Sequence, residues 1–147
     1  MNNQEIQETI FRETYKSFNF DVMDDHFTKA RAIIKQYRIW DKPVCYVIHY
    51  LVHAAKVCGD NPFPVCQAAI AERIHWMYQT RQAQVCRYLK RLLDQGVIEL
   101  VKHGGRSGPG LYRLLVEPSA EFWQIASKDT QGKVDFFKRH FHEPPQP

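Results

Sequence analysis

Apolar residues at Val85, Leu89, Leu92 and Leu93 recur at i, i+4, i+7 and i+8, the spacing of one helix face. Thr80 stands before them as the expected N-cap, and Gly96 after them as the expected left-handed C′ residue. Two short apolar runs follow, 97–102 and 111–116. Gly104, Gly105, Gly108 and Gly110 lie between them with Pro109, the pattern of a β-hairpin with a basic, turn-rich tip. Upstream, Ile70, Ala71 and Ile74 mark a short helix over 64–74. His75-Trp76-Met77-Tyr78-Gln79 then reads either as a long aromatic connection or as a continuation of that helix.

The rest of the chain is largely helical in pattern. Residues 3–18 carry Ile6, Ile10, Phe11 and Phe18 as a loose stripe. A turn over 19–25 precedes a second helix, capped by Asp24 or Asp25, with Phe27, Ala30, Ile34 and Tyr37 on its apolar side. Trp40-Asp41-Lys42-Pro43 opens a third, where Pro is comfortable in the first turn. That helix is strongly apolar through Val44, Val47, Ile48, Leu51, Val52 and Ala55, and it should end near 58–62. At the far end, Pro118-Ser119 resembles a helix start with Ser119 as cap and Phe122, Trp123, Ile125 and Ala126 buried. Thr130-Gln131-Gly132 reads as an interruption before a short helix over 133–142 with Val134, Phe137 and Phe141 on one face, and 143–147 as a disordered Pro-rich end. So aromatic a tail should pack on the N-terminal helices or on a partner.

Helix, connection, helix, Gly, hairpin: in that order the residues resemble the winged helix-turn-helix family of DNA-binding domains. The resemblance covers about residues 43–116 and rests on Ile70-Ala71-Glu72-Arg73, Val85-Cys86-Arg87-Tyr88-Leu89-Lys90-Arg91-Leu92, Gly96-Val97-Ile98 and the Gly-rich tip. It implies a mainly α fold with a small antiparallel β-hairpin wing, in which the helix from Pro43 opens a trihelical core and Phe63-Pro64-Val65 supplies a short third strand. The chain then divides into an N-terminal helical extension (1–41), the winged domain (42–116) and a C-terminal helical segment (117–147). Two departures stand out. Cys66 occupies the place where the family usually carries a Ser, Thr or Asp cap, and the connection over 75–79 is longer than usual and lacks Gly.

The resemblance also implies a docking mode. Helix 80–95 enters the major groove with its N-terminal half, so Arg81, Gln82 and Gln84 face base edges. Arg87, Tyr88 and Arg91 lie further along, toward phosphates. Lys102, His103 and Arg106 bring the wing, 102–110, to the backbone or minor groove. Two of these residues have competing structural roles: Tyr88 as cover for the core edge, and Arg91 as ion-pair partner of Asp94 at i+3.

Charge agrees with that placement. The net charge is +4 over 147 residues. Residues 62–116 hold eight Lys and Arg against three Asp and Glu, whereas the remainder holds 12 basic and 13 acidic groups, so all the excess sits on the helix pair and hairpin. At 44% hydrophobic and 13% aromatic the chain can bury a core. No run approaches the roughly 18 apolar residues of a membrane span. The start lacks a signal-peptide layout, which points to the cytoplasm, or the nucleoid if bacterial.

Candidate chemistry adds little. Cys45, His49 and His53 follow one another at i, i+4 and i+8, but that span is about 12 Å, too long for one zinc ion to take all three. Partly buried cysteine and surface histidine are the expectation. The four cysteines form no C-x-x-C pair, and Cys86 beside core Val85 reads as a buried thiol in preference to a redox switch. The Gly104–Gly110 loop lacks the Gly-Lys-Ser/Thr of a phosphate loop and precedes a strand. The expectation is no enzyme, no cofactor and no metal. It is a double-stranded DNA-binding protein, a transcriptional regulator dimeric through its outer helices, with a phage or plasmid replication or maintenance factor, or a protein-docking module, as alternatives.

Overall fold

The computed structural model describes residues 2–17, 25–59, 62–78, 80–104 and 109–141, and side chains within these apart from 17, 75–78 and 133–141. Lys42–Val57 forms a helix, α3, that is buried almost all round: His49, Tyr50, Leu51, Val52, His53 and Ala54 are consecutive and all inaccessible. A helix apolar on every side must be covered on every side. The flanking elements do this: α1 (Asn3–Ser17) and α2 (Asp25–Gln36) pack on it, as do α4 (Gln67–Tyr78) and α5 (Gln82–Asp94) and two strands. The packing centre is therefore α3, and one hydrophobic core runs from Ile10 and Ile33 through Leu51 to Ile70, Leu89 and Ile98.

Local chemistry fixes the helix ends. Asn2 accepts the N–H of Glu5 at 2.8 Å and starts α1. In α1, Ile10 and Phe11 are buried, and Thr14 goes down with them because its hydroxyl donates to the Ile10 carbonyl. The Tyr50 hydroxyl donates to Gln7 Oε1 at 2.5 Å, and Gln7 Nε2 donates to the Pro64 carbonyl at 3.2 Å. These two bonds tie α1 to α3 and to the strand that follows. Helix α2 stops with Arg38 at φ 53°, its N–H on Lys35 and that of Ile39 on Ile34, so a non-glycine residue occupies the left-handed position.

Strand β1 (Phe63–Val65) forms where the third strand was expected. It pairs with β3 (Gly110–Leu114), which pairs in turn with β2 (Ile98–Lys102), giving an antiparallel sheet in the order β1-β3-β2. Glu99 faces Arg113 and Leu100 faces Tyr112, after which a bulge at Val101 shifts the register to Lys102 against Leu111.

Of the two readings of 75–79 the structure takes the second: the first helix of the pair runs on past Ile74 to Tyr78, so its aromatic stretch is helical. Two expectations change. The tail is one helix, α6 (Ala120–Phe141), unbroken at Gly132. A Cβ at that glycine would meet nothing within 4 Å, so Gly132 costs only its propensity, about 1 kcal/mol, which a helix docked elsewhere tolerates. The docked part lies on α2: Ala126 and Thr130 are buried, Lys29 pairs with Glu117 at 2.7 Å, and Arg31 and Lys35 both reach Asp129. Ile125, expected inside, is exposed. Covered by α3 on one side and α6 on the other, α2 buries Ala32 and Ile33 as well as the predicted Phe27 and Ala30. Phe18, the Asp24 cap and the 143–147 end lie outside the described residues.

Candidate nucleic-acid interface

Val85, Leu89 and Leu92 are buried as their spacing demands, and this fixes which side of α5 faces out. The helix begins one residue later than expected. Arg81 is the N-cap with extended backbone, while Thr80 is buried at 3% and caps nothing. Arginine has no acceptor to offer N–H groups. Instead the N3 residue, Gln84, accepts the backbone N–H of Arg81 at 2.9 Å, one half of a capping box. That bond occupies the amide oxygen of Gln84.

The exposed residues of α5 are Gln82, Ala83, Cys86, Arg87, Lys90 and Asp94, with Arg81 at its start. Gln82, Cys86 and Lys90 follow at i, i+4 and i+8 and so form one ridge. Lys90 is absent from the DNA contacts that the resemblance implies, although its spacing from Gln82 and Arg87 marks it. Cys86, expected inside, is out: one step past Val85 is about 100° round the helix, enough to leave the core. Arg81, Arg87 and Lys90 make no ion pair among the described residues.

The other basic residues are engaged or remote. Arg91 does not take Asp94; its Nη1 lies 2.7 Å from Oδ2 of Asp41, at the start of α3. Tyr88 is half-buried against the core, as its structural role requires. Arg113 pairs with Glu99 across the strands at 2.7 Å, and Arg73 stands 4.9 Å over the Phe11 ring. Lys102 and His103 are exposed at the end of β2, and Arg106 lies outside the described residues.

Between the start of α4, the start of α5 and the base of the hairpin is an open cleft of about 350 Å³, bordered by Gln67, Gln82, His103, Gly110 and Tyr112. The fold therefore brings Gln82 and His103 to one opening, although they are separate in sequence. Burial pushes the Tyr112 hydroxyl up, and its hydrogen bond with the Gln67 side chain opposes that shift. A Cβ on Gly110 would sit 3.1 Å from the Tyr112 ring, so a larger residue here requires that ring to give by a few tenths of an ångström.

Helix α5 leads into the hairpin by a defined turn. Gly96 has φ 76°, its N–H bonds to Leu93, and the Val97 N–H bonds to Leu92. No set of three His, Cys, Asp or Glu side chains among the described residues is arranged to hold a metal. His49 and His53, expected at the surface, are buried at 2% and 0% because α2 covers them: Phe27 lies 5.0 Å from the His49 ring and His26 6.1 Å from that of His53. Among the described residues no helix is long and apolar enough to cross a membrane. Comparison with protein-family models, with curated proteins and with solved structures finds no match to this chain.

Proposed function

We propose that this chain is a non-enzymatic protein that binds double-stranded DNA as a winged helix-turn-helix, acting as a transcriptional regulator. The observation that carries the reading is the outward face of α5, where Arg81, Gln82, Arg87 and Lys90 stand free of ion pairs among the described residues on a helix held rigidly by its opposite face. Electrostatic attraction to phosphates needs such uncommitted cations, and base reading needs amides and guanidinium groups on a rigid element. Arg81 and Gln82 are the base readers. Gln84 offers its amide N–H groups for that task, while its oxygen accepts the Arg81 N–H at the helix start. Arg87 and Lys90 bind phosphates, with Lys102, His103 and Arg106 of the hairpin on the backbone or in the minor groove. A cytoplasmic, nucleoid-associated protein that dimerises through its outer helices would suit palindromic sites.

A replication or maintenance factor of a phage or plasmid would use the same face and differ in what it recruits. A protein-docking role would draw instead on exposed apolar side chains such as Trp40 at 70% and Leu115 at 49%. Fluorescence anisotropy with random duplex, followed by sequence selection at two salt concentrations, separates these readings. Salt-sensitive binding with an enriched motif is the expected result. Salt-sensitive binding without a motif favours the replication role, and no binding at low salt favours docking.

A further inference from the structure

Asp41 occupies the N-cap position of α3, with φ −67° and ψ 116°, yet its side chain makes no capping hydrogen bond. A capping carboxylate accepts from the N2 or N3 N–H. Here N2 is Pro43, which has no N–H, so Val44 is the donor within reach. The carboxylate has turned instead to Arg91 on α5, 2.7 Å away. Both partners are open to water, at 40% for Arg91 and 65% for Asp41, so the pair can exchange. Arg91 lies one helical turn beyond Arg87 on the side of α5 that carries free cations.

We infer that Asp41 is a built-in competitor for the nucleic acid, holding Arg91 where a phosphate would otherwise hold it. The inference rests on the DNA-binding reading of α5. When a phosphate takes Arg91, the carboxylate is released onto the Val44 N–H and becomes the cap that α3 lacks. Each side chain trades one charge-assisted bond for another, Arg91 from carboxylate to phosphate and Asp41 from guanidinium to amide. The contact therefore weakens binding to every duplex alike, because phosphates carry no sequence information. Asp41 is a positioning residue that acts through Arg91.

The test is a double-mutant cycle on duplex binding in the full chain. Asp41→Asn keeps a capping oxygen but loses the charge, Arg91→Gln removes the shared partner, and Asp94→Asn is the control for loss of a negative charge beside Arg91. Asp41→Asn should tighten binding about threefold on preferred and random duplexes. That gain should largely vanish on the Arg91→Gln background, while the smaller gain of Asp94→Asn stays the same on both. Equal gains from Asp41→Asn and Asp94→Asn, or a gain that survives Arg91→Gln intact, would overturn the inference and leave DNA binding untouched. No salt-sensitive duplex binding by the unmodified chain would instead remove the reading on which it rests. Asp41→Ser, which also caps without charge, gives the same comparison should the asparagine variant fold poorly.

Discussion

The backbone N–H of Val97 donates to the Leu92 carbonyl at 3.0 Å, and the side chains of both residues are buried. This bond sets the angle at which the hairpin leaves α5, and it forms only because Gly96 between them adopts φ 76°.

Gly96→Ala should therefore destabilise the fold by about 1 kcal/mol through backbone strain alone, since a Cβ there meets nothing within 4 Å. Arg38, at φ 53°, holds the equivalent position at the end of α2 with a side chain attached. Arg38→Gly should stabilise by a similar amount. Urea titrations of the two variants check both signs, and a destabilised Arg38→Gly would refute the account.

Tyr50 supplies a pH dependence. Burial holds its hydroxyl far above the ordinary tyrosine range. The folded state thus keeps a proton that the unfolded chain releases above about pH 10. The stabilisation is complete below that pH and is lost as pH rises toward the folded value. Tyr50→Phe should cost about 1–3 kcal/mol at neutral pH, because Gln7 Oε1 loses its donor. The variant should also lose stability less steeply between pH 9 and 11 in denaturant titrations.

Much of this was legible in the sequence, for local reasons. The spacing of Val85, Leu89 and Leu92, the glycine after them and the alternation around the Gly-rich loop are properties of neighbouring residues, and α5, its end and the hairpin follow. What was not legible depends on distant partners. Asp41 claims Arg91 from 50 positions away. His49 and His53 are buried only because α2 lands on their side of α3. Thr80 looked like a cap until packing drew it inside and left Arg81 at the helix start. Propensity alone predicts a break at Gly132, and the α2 surface that holds the first half of α6 overrides it.

Cys86 lies exposed on the α5 ridge, whereas Cys45 and Cys58 are half-buried with their thiols pushed up by burial. At mildly alkaline pH, N-ethylmaleimide should alkylate Cys86 well before those two, since the thiolate is the reactive form. On the proposed docking mode the adduct stands between Gln82 and Lys90 and should abolish duplex binding, and Cys86→Ser should bind normally and resist the reagent. Mass spectrometry of partly modified protein gives the order, and binding that survives full Cys86 modification would place the DNA elsewhere.

The division of labour along α5 makes the sharpest demand on the proposal. Arg81→Ala and Gln82→Ala should each weaken preferred sites by about 1–3 kcal/mol and affect random duplex less. Gln84→Ala should weaken preferred sites too, but with a loss of stability, because the Arg81 N–H loses its acceptor. Lys90→Ala, which makes no ion pair among the described residues, should leave stability unchanged, lower affinity for all duplexes alike and flatten the salt dependence by about one counterion. Arg106→Ala, between β2 and β3 in sequence, should likewise lower affinity without changing preference. Leu89→Ala is the contrasting case: its side chain is buried, so about 2–5 kcal/mol of stability should go, and binding should fail only as the fold does. Matched anisotropy and melting data on this series would separate reading, anchoring and folding. If Arg81→Ala and Lys90→Ala changed preferred and random binding in the same proportion, α5 would be an electrostatic anchor and the sequence reader would lie elsewhere.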